Sequence, residues 1–316
     1  MKKIVSILLA AVMLLSIAGC GTKGEKQIKI GIIQLVQHDA LDQATKGFVD
    51  GLAEAGYVDG ENIKIDLQNA QNEIANTNTI ASKLVNEKND LILAVATPAA
   101  QAVANATSDI PVLVTAVTDP ADAGLVESNE APGGNITGTS DMTPVKEQID
   151  LLLKIAPDAK RIGVMYSSNE ANSYLQAQLA KEAIEALGLE YKEYTVSESN
   201  QIQQVITTAV GQIDALYTPT DNMIASAMVQ ISAIATENGI PQVGGEEGQV
   251  VNGALASYGV NYYELGKITA AQAVKILKGE AAPADMPIEY QKDYNISVNW
   301  ETAEALGIDT LDEYRQ

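Results

Sequence analysis

Apolar and polar residues fall into blocks of two periodicities that take turns along the chain. Residues 28–36 are almost continuously apolar, as a strand covered on both faces of a parallel sheet should be. Residues 41–55 carry apolar side chains at helical spacing and stop at Gly56. Residues 62–68 alternate, which predicts a strand nearer a sheet edge. A helix over 74–88 follows, with Ile74, Ile80, Ala81, Leu84 and Val85 near one face, and then a buried strand over 90–96. Thr97 and Pro98 read as N-cap and first residue of a helix over 98–107. Strands over 110–115 and 135–139 close this series.

A second series begins with Val145, Ile149, Leu152, Leu153 and Ala156 on one helical face, between Thr143-Pro144 and the stop at Pro157. Strands are expected over 161–166, 190–196, 215–217, 241–243, 254–258 and 295–298. Helices are expected over 174–187, 202–210, 222–237, 263–277 and 301–306. Two successive runs of strands and helices predict an α/β fold of two Rossmann-like lobes, each a parallel sheet with helices on both faces.

The first residues follow a different logic. Met1-Lys2-Lys3 precedes an apolar run from Ile4 to Leu15, and Ser16-Ile17-Ala18-Gly19-Cys20 ends it. A positive start, a short apolar stretch and small residues predict a secretory signal over 1–19. Ile17-Ala18-Gly19-Cys20 also fits a lipoprotein signal, in which Cys20 takes the lipid and residues 20–27 form the lipidated start and tether. The alternative is an ordinary signal with an incidental cysteine. Lipidation would place the protein on the outer face of the cytoplasmic membrane, each buried CH2 contributing about 0.8 kcal/mol to anchoring. Cys20 is the only cysteine, so the chain forms no internal disulfide. The net charge of -21 argues against nucleic acid and against attraction to anionic lipid.

Chemistry is expected beyond the carboxyl ends of the strands, where open α/β sheets bind ligands. Six loops there carry polar or turn-forming residues: Gln37-His38-Asp39, Thr97-Pro98-Ala99-Ala100, Thr118-Asp119-Pro120, 167–173, 218–222 and 244–248. The free N–H groups at the start of a helix attract anions, so Thr97, Ala99 and Ala100 can receive a carboxylate or simply be capped. Asp221 can hold an ammonium group or cap the helix that follows it. Glu246 can share the ammonium role or be a solvated loop acid. Asn169, Asn172 and Ser173 offer neutral hydrogen bonds, and Tyr166 and Tyr217 end strands that face the presumed cleft. Together these loops can satisfy a zwitterion, with anion donors on one lobe and carboxylates on the other.

His38 is the only histidine, and no Gly-x-Ser-x-Gly elbow accompanies it, so no catalytic residue is assigned. Phosphate-loop, dinucleotide and metal-ligand spacings do not occur, and no cofactor or metal is expected.

Read in order, several segments resemble the ABC-transporter substrate-binding lipoproteins of the tryptophan/tyrosine-binding type. They include 31–36, 47–52, 94–102, Thr115-Ala116-Val117-Thr118-Asp119-Pro120, 132–138 and Ser140-Asp141-Met142-Thr143-Pro144. Others are Ser168-Asn169-Glu170-Ala171-Asn172-Ser173, Pro219-Thr220-Asp221-Asn222 and Tyr262-Tyr263-Glu264-Leu265-Gly266. The resemblance implies a type I periplasmic-binding-protein fold with three hinge crossings, and a cleft that closes on a free amino acid, often aromatic. It implies lobe one over 28–141 plus 254–291 and lobe two over 142–253 plus 292–316. The expected ligand-binding residues are Gln37, His38, Thr97, Pro98, Ala99, Ala100, Thr118, Asp119, Ser140, Asp141, Tyr166, Asn169, Glu170, Asn172, Ser173, Tyr217, Thr220, Asp221, Asn222, Gly245 and Glu246. The expected partners are an amino-acid ligand, the permease and ATPase of an importer, and the membrane through the lipid, with the protein itself a monomer. A surface sensor or adhesin on the same fold is the alternative. One departure is Gln37-His38-Asp39, where the family commonly has Glu-His-Pro.

Overall fold

The computed structural model describes residues 27–315; the expected signal over 1–19, Cys20 and most of the expected tether lie outside the described residues. The strands are β1 (Ile28–Gln34), β2 (Ile63–Asn69), β3 (Leu91–Val95), β4 (Val112–Val117), β5 (Ile136–Ser140), β6 (Arg161–Ser167), β7 (Glu190–Val196), β8 (Ala215–Thr218), β9 (Gln242–Gly244), β10 (Ala256–Gly259), β11 (Glu289–Tyr290) and β12 (Asn295–Val298). The helices are α1 (Asp39–Glu54), α2 (Ile74–Asn86), α3 (Thr97–Ala106), α4 (Val145–Ile155), α5 (Ala171–Ala186), α6 (Ile202–Ala209), α7 (Asn222–Ser226), α8 (Met228–Glu237), α9 (Glu247–Val251), α10 (Tyr262–Leu277) and α11 (Trp300–Leu306). The strands form two six-stranded sheets, β11-β5-β4-β3-β1-β2 and β12-β10-β9-β8-β6-β7. Every pairing is parallel except β10 with β12. No helix among the described residues is long and apolar enough to cross a membrane.

Hydrophobic patterning explains the layers. β3 is buried along its whole length, whereas β2 and β7, at the free edges, alternate. In the first lobe Ile30, Ile32, Leu93 and Val114 pack with Phe48 and Leu52 of α1 and Leu265 of α10. In the second lobe one cluster joins Ile149 and Leu152 of α4 to Ile162, Val164 and Tyr217. Another lies on the opposite face, under Ile206 and Ile231. Helices α1 and α10 touch backbone to backbone. A Cβ at Gly47 would strike the Tyr263 carbonyl, and one at Gly266 the Ala44 carbonyl.

Four sequence-based expectations change. The strand expected at 254–258 in lobe one is β10 of the second sheet, in register with Val243 and Gly244 of β9. Its other side pairs with β12, and the chain re-enters the first lobe only after Gly259. The three-residue β9 would otherwise leave its outer edge unpaired, and β10 covers it. The helix expected over 222–237 breaks at Ala227 into α7 and α8. Asn172 and Ser173 sit in the first turn of α5 rather than in a loop. Thr97 does not cap α3: the N-cap is Ala96, with φ 82°, and Thr97 is already helical.

Candidate functional site

A small cavity lies where the carboxyl ends of the two sheets meet. His38 and Leu41 at the start of α1, Ala116 of β4, Asp141 beyond β5 and Tyr262 at the start of α10 line one side. Asn172 of α5, Thr220, Asp221, Asn222 and Ala225 around α7, and Glu246 line the other. Helices α1 and α10, in close contact, both contribute to the cavity through His38 and Tyr262 near their N-terminal ends. Ala96 and Ala116 both take positive φ, 82° and 53°, at strand ends that face the other lobe. Such strain in non-glycine residues persists only where surrounding structure enforces it, and it gathers at ligand clefts.

The lobes touch across this cavity. His38 Nε2 bonds Asn222 Oδ1 at 3.1 Å, and Thr118 Oγ1 lies 3.3 Å from Thr220 Oγ1. Gln176 of α5 reaches both threonines. The Asn252 amide donates to Asp39. Within the first lobe, the Tyr262 hydroxyl donates to Asp141 Oδ2 at 2.6 Å.

Asp141, Glu170, Asp221 and Glu246 are all buried here. No lysine or arginine lines the cavity with them. Burial pushes Glu246 up to about 8, with the charges of Asp39 and Asp141 adding and the N–H groups of Gly248 and Gln249 opposing. Burial, then the Asp221 charge, raises Glu170 to about 8, against hydrogen bonds from Asn222 and Met223. Burial raises Asp141 and Asp221 as well. It lowers His38, against the Asn222 bond and the charges of Asp42 and Asp39, so the imidazole is neutral at pH 7.

Four buried polar atoms lining this cavity have no partner: His38 Nδ1, Asp141 Oδ1, Asn172 Oδ1 and Glu246 Oε1. All are acceptors when the acids are ionised. Asn222 Nδ2 donates to Glu170, so its Oδ1 accepts from His38 Nε2 and leaves Nδ1 as a lone pair. Asn172 Nδ2 donates to the Thr220 carbonyl at 3.0 Å, which leaves Oδ1 as the acceptor. Buried acceptors without donors are costly, and a donor-rich ligand relieves them.

The expected residues divide. His38, Asp141, Asn172, Thr220, Asp221, Asn222 and Glu246 come together around the cavity. Asp221 also caps α7, with Oδ1 accepting from Ile224 N at 2.8 Å and Oδ2 from Ser167 N at 2.6 Å. Glu246 caps α9 through Gly248 N and keeps its other oxygen free. Glu170 accepts from Met223 N at 3.0 Å and holds the start of α7. Ser173 bonds Asn172, Ser140 Oγ donates to the Thr118 carbonyl at 2.6 Å, and Gly245 leaves no room for a Cβ beside Thr220. These second contacts brace the lining.

Others lie apart. Tyr166 and Tyr217 point into the second lobe, not the cleft. The Tyr166 hydroxyl donates to Glu193 at 2.7 Å, and that of Tyr217, fully buried, to Gln148 Oε1 at 2.6 Å. The cause is strand alternation: Tyr217 shares its face with Ala215, toward α4. Gln37 and Asn169 are exposed, the latter tied to the Ser197 carbonyl at 2.8 Å. Asp119 stabilises its own turn through Ala121 N at 3.0 Å and Asn129 at 2.9 Å. Thr97, Ala99 and Ala100 are buried at the start of α3 and do not line the small cavity. Pro98 borders an adjoining groove with Glu170 and Met223. Sequence reasoning missed Leu41, Ala116, Ala225 and Tyr262. Ala116 and Tyr262 lie within segments that carry the resemblance, and Ala225 carried no signal.

A family model described as ABC transporter substrate binding protein matches residues 29–314. A protein named tyrosine-binding protein, from Clostridioides difficile (strain R20291), is 44% identical over 98% of this chain and 94% of its own length. An ABC domain from Streptococcus pneumonia, solved in complex with L-Trp, is 38% identical with TM-score 0.87, covering 90% of this chain and 96% of that one. A ligand-free, open substrate-binding protein with adhesive properties from Clostridium difficile is 50% identical with TM-score 0.69, covering 89% and 95%. The more identical structure is thus the less similar in shape.

Proposed function

The chain belongs to the ABC transporter substrate-binding protein family, and from that premise we propose that it captures a free aromatic amino acid between its lobes for import. The observation that carries the reading is the set of four unpartnered acceptors in a cavity without a lysine or arginine. An ammonium group offers three donors and a charge, and Asp141 and Glu246 receive it, with Asn172 completing the shell. Asp221 shapes the site as a cap and adds negative field. The ligand carboxylate points toward the first turn of α3, at Thr97 and the Ala99 N–H; the Ala100 N–H already donates to the Ala96 carbonyl at 3.0 Å. Leu41, Ala116 and Ala225 give apolar contact. The relatives that bind tyrosine and carry L-Trp support an aromatic side chain. Capture needs no bond-breaking group, only closure.

The shape comparison supports closure. The lobes here are in contact through His38–Asn222 and Thr118–Thr220. A relative described as open matches less well than a more distant one holding L-Trp. The protein works from the outer face of the cytoplasmic membrane, held by lipid on Cys20, and delivers to a permease and ATPase.

A thermal-shift screen of all amino acids on ligand-stripped mature protein tests this. A ligand that binds only the folded state adds about 2.7 kcal/mol of stability at a hundredfold excess over Kd. Tyrosine, tryptophan or phenylalanine should give the largest shift. A shift produced by a sugar or peptide alone refutes the reading.

A further inference from the structure

We propose that α9 is the latch by which the two lobes hold each other, and that Gly248 is its positioning residue: a group outside the cavity that decides how far the lobes close. The inference rests on the capture reading above and deepens it.

Three observations carry it. First, α9 belongs to the second lobe and packs on α1 of the first. It runs from the cavity to the surface. Glu246, its N-cap, lines the cavity, and Asn252, just past its end, donates to Asp39 at the start of α1. Asn252 is set for this by its own helix, since its N–H and its side-chain amide both reach the Gly248 carbonyl, at 3.1 and 2.8 Å. One short helix thus joins a cavity acid to a bond between the lobes. Second, the contact between α9 and α1 is made at a residue without a side chain. A Cβ at Gly248 would lie 3.0 Å from Asp39 Cβ and 3.1 Å from Ala40 N, both on the other lobe. Gly47 and Gly266, by contrast, are crowded within the first lobe. Carbon atoms pack comfortably at about 3.5–4.0 Å, so a methyl group at 248 would hold the two helices apart. The wall it meets cannot swing aside. Ala40 N is backbone in the first turn of α1, and α1 is itself locked against α10 through Gly47 and Gly266. Third, nothing in the backbone demands glycine here. Gly248 lies in the first turn of α9 without a left-handed φ, and alanine favours a helix over glycine. Within its own lobe the added Cβ would meet only Glu246 Oε2, at 2.9 Å, the far end of a side chain. The side chain is missing for the sake of the opposite lobe.

The test compares ligand-stripped mature protein with Gly248→Ala, using L-tyrosine, L-tryptophan and L-phenylalanine as probes. Without ligand, Gly248→Ala should melt at or above the wild-type temperature. In calorimetric titration it should bind each probe that wild type binds more than about tenfold more weakly. Small-angle scattering at a saturating probe should give it a larger radius of gyration than wild type. Binding within about twofold of wild type, with the same compaction, overturns the inference while the amino-acid reading stands. Asn252→Ala and Asp39→Ala, alone and combined, repeat the test without added bulk, and they decide it if Gly248→Ala melts lower. Each should weaken binding about threefold, and the pair no further than either alone, because a single bond is lost. Losses that multiply overturn the latch. If no probe binds wild type, the aromatic amino-acid reading fails, and the latch is decided without ligand at pH 5, where the raised carboxyls of the closed cavity hold their protons. There a larger radius for Gly248→Ala than for wild type supports the latch, and an equal radius overturns it.

Discussion

Closure of the ligand-free protein should depend on pH, and Glu246 sets the size of the effect. Where opening exposes its carboxyl to water it returns toward the ordinary value of 4.5; between the lobes burial raises it to about 8. The sign follows from which state holds the proton. Below 4.5 the group is protonated in both states and closing costs nothing on its account. Between 4.5 and about 8 the open state is ionised and the closed state protonated, so each pH unit disfavours closing by about 1.4 kcal/mol. From pH 5 to pH 7 the open-to-closed ratio should therefore rise by roughly two orders of magnitude. Asp141, which faces Glu246 from the first lobe, shifts in the same direction, and Asp39 adds its charge. Glu170 and Asp221 lie together in the second lobe and contribute to the extent that opening exposes them. A bound ammonium replaces the missing proton, so a saturating ligand should hold the lobes together at pH 8. Small-angle scattering of ligand-free protein should give a larger radius of gyration at pH 8 than at pH 5. Ligand, or Glu246→Gln, should reduce the difference. An equal radius at both pH values, with ligand compacting the protein at either, would refute the argument.

Other consequences can be checked separately. Glu246→Gln keeps an acceptor for Gly248 N but loses the charge, so amino-acid affinity should fall by about 1.5–3 kcal/mol without loss of melting temperature; unchanged calorimetric affinity would show that the ammonium lies elsewhere. Gly266→Val drives a side chain into the Ala44 carbonyl and should cost about 1–3 kcal/mol or more in denaturant unfolding. Tyr217→Phe leaves Gln148 Oε1 with only the long 3.5 Å bond from Thr143 Oγ1 and should lower stability by about 1–2 kcal/mol while leaving ligand affinity as it was, because the ring faces away from the cleft. Cys20→Ala should abolish labelling by a palmitate analogue and release the protein from the membrane; persistent labelling would assign the lipid to another residue.

The lobes were legible because each relies on local signals. The continuous apolar run of β3 and the alternation of β2 distinguish a central strand from an edge strand before any pairing is known. The face of α4 follows from spacing, with Val145, Ile149 and Leu152 buried, whereas on α2 Ala81 and Leu84 are buried as spacing predicts but Ile74 stays exposed. What failed was non-local. Whether residues 256–259 extend the second sheet or return to the first depends on the short β9 and its open edge, which no property of that segment announces. Tyr217 looked like a cleft residue because it ends a strand. The direction it faces depends on strand register, and one residue of difference turns it from cleft to core.

The site was legible as a set of loops but not as a set of roles. Asp221 presents an acid beside a helix start, and sequence offers both capping and ammonium binding. The two N–H groups that occupy its oxygens decide for capping, one of them from Ser167 in a different segment. Asp141 was visible only within a motif, and its free oxygen emerges because Tyr262 engages just the other one. The four orphan acceptors stand at 38, 141, 172 and 246, on segments that meet only when both lobes have folded and closed. No spacing rule links them. Their shared property is that each is buried without a donor, and an unmet acceptor is a requirement on the ligand rather than on the chain. That is why the chemistry of the bound group is better specified by the folded cavity than by any one of its residues.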